Sequence, residues 1–286
     1  MSKFLSSVAN TEFDSEVKQA YQGPMGARLR QTVTLRSGVV GDTYKFRKMG
    51  KGLARQRPAP ASDVTPMDIA HSQQSATLTN WYAPEYTDIF DAATVNFDEQ
   101  RELAMTIASA LGRREDQLII DAMEDGTPTS TCDEDVGGAD TGWNPDKVRR
   151  CSRLLNALGV PNTDRTIILT AIGLESLLGE TEVTSSDYNS VKALVNGEIN
   201  TWCGFSFKVI ETRDEGGLPI DTVPAPDETH SFAYHKDAIG HAVGLDIRQE
   251  TNYIPEKVSW LANGILKAGT IVRDADGYVE VQTNET

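Results

Sequence analysis

The sequence predicts an α+β fold that is organised around one long helix. Apolar residues recur at helical spacing between positions 103 and 122, and short alternating segments typical of strands lie before and after this region. The order helix, strand, helix between positions 145 and 179 adds an α+β or α/β unit. With 286 residues, 39% of them hydrophobic and 24% charged, the chain has enough apolar material for one large domain or two modest ones.

The first 27 residues read as a polar arm with scattered apolar anchors and one short helix near 15–21. Two segments that alternate like strands follow at 31–36 and 43–49. Gly38 and Gly41 are turn formers between them, so the two segments are predicted to form a hairpin.

Residues 50–66 are rich in Gly, Pro, Ala and Arg, which is typical of an exposed loop tip. The segment 73–82 is strand-like again. We therefore expect the tip to be flanked by two strands that run out and back, and a loop of this length is unusual unless it is functional or held by a partner.

The long helix is predicted to begin at Asn96, a capping residue with Glu99 three positions later, and to reach residue 123. One face of it carries the apolar residues Leu103, Ile107, Leu111, Leu118 and Ala122.

The rest of the chain divides into shorter elements. Asn144 and Pro145 are expected to start a second helix, because proline is favoured at the first helical position. The further elements predicted are a strand at 166–170, a helix at 171–179, a strand at 204–210, a strand at 232–234, a short helix at 238–242, and strands at 247–253 and 258–268. A final hairpin is predicted between 270–272 and 278–281 across Asp276 and Gly277.

Charge is distributed unevenly along the chain. The net charge is −15, which argues against general nucleic-acid binding because phosphate contacts depend on Lys and Arg. Residues 1–60 carry 11 basic and 4 acidic side chains, so residues 61–286 carry a net charge of −22. The sequence therefore describes a basic extension on an acidic body.

Nine basic residues between 28 and 57 are the candidate functional residues. Strand-like segments lie among them, so we interpret the region as a structured β-extension that contacts the acidic body of a neighbouring copy. The alternative is a solvated face with no partner. The nine residues are Arg28, Arg30, Arg36, Lys45, Arg47, Lys48, Lys51, Arg55 and Arg57.

Enzymatic and cofactor motifs are not predicted. Gly50-Lys51-Gly52 resembles the end of a phosphate loop but lacks its first glycine and its Ser or Thr. His230, His235 and His241 have spacings that match no standard metal pair, and His71 stands alone. Neither an enzyme nor a bound cofactor is expected.

Metal and membrane sites are not predicted either. The acidic segment 133–140 departs from a calcium loop at Gly137 and Asn144, so we interpret it as a solvated loop, with weak divalent-ion binding left open. Cys132, Cys151 and Cys203 are widely spaced, which suggests neither a zinc site nor a redox pair. No segment has the apolar length of a membrane helix.

The order of elements resembles the Hong Kong 97-type fold of the major capsid proteins of tailed bacteriophages. Local segments are similar to podovirus-like coat proteins: LRQTV at 29–33, GDTYKF at 41–46, KMGKGLA at 48–54, ASALGR at 108–113 and DQLIID at 116–121.

This resemblance implies an N-terminal arm, an extended β-loop, a spine helix, a peripheral domain and an axial domain. The implied bounds are 1–30 for the arm, 31–83 for the loop, 84–130 and 247–286 for the peripheral domain with its spine helix at 96–123, and 131–246 for the axial domain.

The resemblance also implies partners. Copies would form hexamers and pentamers of an icosahedral shell around packaged double-stranded DNA, without sequence-specific contact to it. A separate scaffolding protein, a portal at one vertex and an optional decoration protein complete the expected set. The chain would reside in the virion, and in the host cytoplasm during assembly.

Three other functions remain open at this point. An encapsulin-type compartment shell has the same fold but encloses enzymes. A tail-tube subunit would form rings or tubes, and an α+β enzyme is supported only by the polar loops.

Overall fold

The computed structural model describes residues 28–57, 59–92, 99–179, 201–212, 215–221 and 228–285. The helices are α1 (Ile89–Ala92), α2 (Glu99–Glu124), α3 (Pro145–Ala157) and α4 (Ala171–Gly179). The strands are β1 (Thr34–Ser37), β2 (Thr43–Met49), β3 (His71–Thr77), β4 (Thr79–Asp88), β5 (Ser130–Cys132), β6 (Arg165–Leu169), β7 (Thr201–Trp202), β8 (Phe205–Val209), β9 (Ile220–Asp221), β10 (Glu228–His235), β11 (Ile239–Ile254), β12 (Ser259–Val272) and β13 (Tyr278–Asn284). The arm at 1–27, its short helix included, lies outside the described residues.

A four-stranded sheet in the order β1-β11-β12-β4 forms one half of the body. Its centre is the antiparallel pair β11 and β12, to which β4 adds antiparallel and β1 parallel. Gly264 and Ala262 of β12 face α2, so the helix lies close to this sheet. Ile107 and Leu111 of α2 pack in one core cluster with Ala262 and Leu266 of β12.

The predicted long helix is confirmed as α2, which has 26 residues. Its predicted cap, Asn96, lies outside the described residues. The first half of α2 packs on the four-stranded sheet, whereas Ile119, Ile120 and Met123 pack with Phe232 of β10. The helix therefore ties both halves of the body together. Neither α2 nor another helix of the described residues combines the length and apolar character needed to cross a membrane.

A seven-stranded mixed sheet forms the other half. Its order is β5-β13-β10-β6-β8-β7, with β9 pairing to β10 beside this path. Helix α3 places Val148, Cys151 and Leu155 against this sheet, where they share a core cluster with Ile167 and Phe205.

The central predictions are confirmed because their signals are local. Asn144 caps α3 by accepting a hydrogen bond from the Lys147 amide, and Pro145 is the first helical residue. The strand at 166–170, the helix at 171–179 and the strand at 204–210 correspond to β6, α4 and β8.

The predicted hairpin between 31–36 and 43–49 is wrong. β1 pairs in parallel with β11, starting at Thr34 opposite Gly240, whereas β2 pairs with β3. Between the two segments the Val39 amide donates to the Val243 carbonyl at 3.1 Å, so this stretch also contacts β11 and not β2. A turn signal does not specify which strand becomes the partner.

Two C-terminal predictions are also wrong. Residues 239–242 open the strand β11, and only a 3₁₀ turn at Lys236–Ala238 precedes it. The segment 270–272 belongs to β12, where Val272 pairs with Ile239, so it forms no hairpin with β13. Asp276 and Gly277 instead form a 3₁₀ turn that carries the chain from one sheet to the other.

Candidate functional site

The strands β2 and β3, which we call the ribbon, rise from the four-stranded sheet as an antiparallel pair. They are in register from Thr43 opposite Thr77 to Met49 opposite His71. The Gly50 amide donates to the Ala70 carbonyl at 2.8 Å and extends this pairing by one step. The prediction of two strands that run out and back is therefore confirmed.

The base of the ribbon is anchored by apolar contacts. Phe46 and Ala76 are buried in a small cluster with Leu78 and Ala242. The Arg273 guanidinium lies 5.4 Å from the centroid of the Phe46 ring. These contacts fix the direction in which the ribbon leaves the body.

Residues 50–57 and 59–70, which we call the tip, carry large apolar side chains that are exposed to water. Leu53 is 79% exposed, Val64 is 94% exposed and Met67 is 49% exposed. These side chains are available for burial against another molecule.

Four of the nine candidate basic residues contact this chain's own body. Lys48 Nζ lies 2.5 Å from Asp274 Oδ1, and Lys51 Nζ donates to the Leu158 carbonyl at 3.2 Å. Arg28 Nη1 donates to the Val209 carbonyl at 2.7 Å. Lys51 and Arg30 also meet acidic side chains, at Asp276 (3.8 Å) and Asp246 (2.7 Å) respectively.

The other five candidates, Arg36, Lys45, Arg47, Arg55 and Arg57, are exposed. Within the described residues their side chains form no ion pair with a carboxylate. The structure thus divides the predicted set into residues that hold the loop on its own body and residues left at the surface.

Residues 28–32, which we call the root, precede the ribbon and lie against α2. The carboxylate of Asp116 accepts hydrogen bonds from the amides of Arg28 (3.0 Å) and Leu29 (2.9 Å). Burial raises the pKa of Asp116 to about 6, and these two amide hydrogen bonds oppose the shift.

The neighbouring Glu115 is fully buried and joins three elements. Its Oε1 lies 3.0 Å from His241 Nε2 and 3.5 Å from Arg30 Nε. His241 Nδ1 lies 2.7 Å from the Thr270 hydroxyl. A signal for this site exists in the sequence: Glu115 stands four positions after Leu111 and three before Leu118, which places a carboxylate on the apolar stripe.

The three histidines of the 230–241 region do not come together around one point. His230 lies between Glu280 (2.5 Å) and Asp221 (3.2 Å), and the hydrogen bond to Glu280 raises its pKa. His235 accepts from the Asp237 amide, whereas His241 faces Glu115. His71 is exposed on the ribbon.

The acidic segment does bring carboxylates together. The carboxylates of Glu134, Asp135 and Asp140 lie within 4.8 Å of one another near the surface. Such groupings are common on solvated loops, and Asp140 has a left-handed backbone, as expected in a tight turn.

Two of the three cysteines are neighbours that their spacing does not indicate. Cys132 of β5 and Cys151 of α3 are buried in the same core cluster. A hydrogen bond with Cys151 lowers the pKa of the Cys132 thiol. Cys203 is exposed.

Solved capsid structures share this architecture over almost the whole chain. The capsid structure of Helicobacter pylori bacteriophage KHP30 is similar with a TM-score of 0.76 at 10% identity, covering 100% of this chain and 98% of that chain. The capsid of cyanophage P-SCSP1u gives 0.75 at 14% identity, covering 100% and 96%. The capsid of a native GTA particle gives 0.64 at 16% identity, covering 98% and 97%. No curated protein matches the chain in sequence.

These similarities confirm the predicted Hong Kong 97-type capsid fold. The tail-tube and compartment-shell alternatives are not favoured, because the family and structural matches are to phage capsids. The phage capsid protein family matches residues 5–285. The chain therefore belongs to the phage capsid protein family and is a structural major capsid protein of the virion.

Proposed function

We propose that copies of this chain assemble into the hexamers and pentamers of an icosahedral shell through five exposed cations, one on β1 and four on the ribbon and tip. In this proposal Arg36, Lys45, Arg47, Arg55 and Arg57 lie on the acidic surface of the neighbouring copy. The observation that supports it most directly is that these five cations have no carboxylate partner among the described residues of their own chain, while residues 61–286 carry a net charge of −22.

Charge alone gives a weak contact. An exposed ion pair contributes about 0–1 kcal/mol and is screened by salt. A closed shell repeats the contact many times, and each repetition is intramolecular once the neighbours are in place. Burial of Leu53, Val64 and Met67 at the same contact would add apolar stabilisation that salt does not remove.

We assign the chain's regions accordingly. Residues 31–83 form the extended loop, 84–130 and 247–286 the peripheral domain, and 131–246 the axial domain. The separate four-stranded and seven-stranded sheets support a division of this kind. Two strands cross the proposed bounds. β13 lies within 247–286 but hydrogen-bonds in the seven-stranded sheet. β11 belongs to the four-stranded sheet but begins at Ile239, within the proposed axial domain.

The shell would enclose double-stranded DNA without sequence-specific contact, since the acidic balance of the chain disfavours tight adhesion to phosphate. A separate scaffolding protein would guide assembly in the host cytoplasm, a portal would occupy one vertex, and a decoration protein is an optional addition. These partners follow from the family resemblance.

Charge reversal tests the docking proposal. The variant Arg55→Glu/Arg57→Glu is co-produced with the phage's scaffolding protein, and the products are examined by sedimentation and electron microscopy. We expect unassembled subunits whose circular dichroism and melting temperature match the wild type, because both side chains are exposed and form no ion pair with the described part of the subunit.

The matched control is Lys208→Glu/Lys236→Glu, which changes the net charge equally at exposed lysines outside the loop. The control should still give shells. Normal shells from the Arg55→Glu/Arg57→Glu variant would contradict docking through these cations.

A further inference from the structure

The root of the β-loop is held by two adjacent carboxylates of α2. Successive residues of a helix point about 100° apart, so Glu115 and Asp116 reach the root from two directions. Asp116 holds the backbone through the Arg28 and Leu29 amides, and Glu115 holds the side chain of Arg30. The loop is thus fixed to the helix at the point where it leaves the body.

The charges at this point do not balance. Three carboxylates, those of Glu115, Asp116 and Asp246, face the two guanidinium groups of Arg28 and Arg30. Glu115 is fully buried and Asp116 is 5% exposed, so water screens the surplus negative charge poorly. One oxygen of Glu115, Oε2, is buried without a hydrogen-bond partner in the described part of the chain.

We propose that Glu115 and Asp116 form a latch for the root of the β-loop, which one proton on Asp116 fastens and whose ionisation favours release of the root from α2. The proton neutralises the surplus charge while one carboxyl oxygen still accepts from the root. Ionised Asp116 keeps both amide hydrogen bonds but holds an uncompensated charge away from water. Opening the root hydrates that charge.

The surroundings of Asp116 support this direction. Burial is the main cause that raises its pKa to about 6, and the neighbouring Glu115 adds to the shift. Since an acid whose pKa is higher in the closed state binds its proton more tightly there, acidification favours the closed root. The pH dependence is expected between pH 6 and about pH 4, the ordinary pKa of an aspartate. At neutral pH the closed state is destabilised, because it buries the ionised carboxylate.

Three other groups face the latch: His241, Asp246 and Tyr234. His241 Nε2 of β11 lies 3.0 Å from Glu115 Oε1. Asp246 stays ionised because Arg30 lowers its pKa, and the Tyr234 hydroxyl, which contacts Thr32 at 2.6 Å, stays neutral because burial raises its pKa.

Hydrogen exchange of the full chain tests the latch. The amides of Arg28 and Leu29 are followed in unassembled subunits from pH 7.5 to pH 4.5, with rates corrected for intrinsic exchange. We expect their protection to rise by about 25-fold as the pH falls to 4.5, because the pKa of Asp116 is about 6 in the closed state and near 4 in the open state. Protection that is constant or falls on acidification would overturn the proposal.

Variants locate the proton. Asp116→Asn is a neutral isostere, so its root should show protection that no longer depends on pH. Asp125→Asn, at an exposed aspartate just beyond the same helix, should retain the wild-type dependence. If His241→Gln abolishes the dependence and Asp116→Asn does not, the proton resides on His241 and the proposal is wrong.

If the Asp116→Asn variant does not fold, the pH dependence of hydrogen exchange in the wild type alone decides whether the proposal holds. The latch is internal to one chain and is measured without assembly. Its failure is therefore distinguishable from failure of the docking proposal, which is read from shell formation.

Discussion

Gly269 of β12 lies directly against the backbone carbonyl of Thr77 at the end of the ribbon: a Cβ at position 269 would sit 2.0 Å from that oxygen. The obstructing atom belongs to the backbone, so no side-chain rotation relieves the clash. The glycine therefore sets how closely the ribbon approaches the four-stranded sheet.

We predict that Gly269→Ala displaces the base of the ribbon and lowers the free energy of unfolding by about 1–3 kcal/mol, the usual cost of overpacking. Denaturant titration of the subunit measures the effect. Gly179→Ala is the control, because a Cβ at Gly179 meets nothing within 4 Å. Equal stability of the two variants would show that the ribbon accommodates the extra atom.

Lys147→Met is predicted to destabilise the subunit by about 2 kcal/mol. Lys147 is fully buried, and its ammonium donates to the carbonyls of Thr141 (2.6 Å) and Gln282 (2.9 Å), which would lose their partner. Burial also lowers the pKa of Lys147, so the folded state releases this proton at a lower pH than the unfolded state does. The wild type should therefore gain stability from this group as pH rises towards 10.5, and the variant should not.

Unfolding free energies at pH 7 and 9.5 test both statements for Lys147, with the exposed Lys208→Met as the control. An unchanged stability of Lys147→Met at both pH values would contradict them.

His230→Gln should cost stability mainly at acidic pH. The hydrogen bond to Glu280 raises the pKa of His230 above its ordinary 6.5, so the stabilisation is fully present below pH 6.5 and is lost as pH rises through the raised pKa. The stability difference between wild type and variant should be larger at pH 5.5 than at pH 8.5. A pH-independent effect of His230→Gln would refute the assignment.

Asn144 performs two tasks that substitutions separate. Its Oδ1 caps α3, and its Nδ2 donates to the Val136 carbonyl at 2.7 Å. Asn144→Ala loses both and should cost about 1–2 kcal/mol. Asn144→Asp keeps the capping oxygen and should cost less. Melting temperatures of the two variants decide the point, and equal losses would show that the cap contributes little.

Elements with local signals were predictable from the sequence. The apolar spacing of Ile107 and Leu111 predicts the sheet-facing side of α2, and Asn144 with Pro145 fixes the start of α3. Each signal lies within a few residues of the element that it defines, so no knowledge of distant contacts is needed.

Pairings between distant segments were not predictable. Thr34 meets Gly240, and nothing near either residue encodes the other. Which of the nine cations contact their own body was not predictable for the same reason. Three of them pair with Asp246, Asp274 and Asp276, which are distant in the sequence and look there like ordinary turn and surface acids. Glu115 was detectable in principle, since it interrupts an apolar stripe, but its partner His241 was not.

The parallel pairing of β1 with β11 constrains the time course of folding. A strand near position 34 must wait for one near position 240, and synthesis of the intervening chain takes on the order of tens of seconds at about 5–20 residues per second. Contacts of such sequence separation form slowly even in a complete chain. β1 is made early on the ribosome but is thus among the last strands to pair. Until it pairs, its unsatisfied backbone hydrogen-bonding groups are accessible to chaperones and to aggregation.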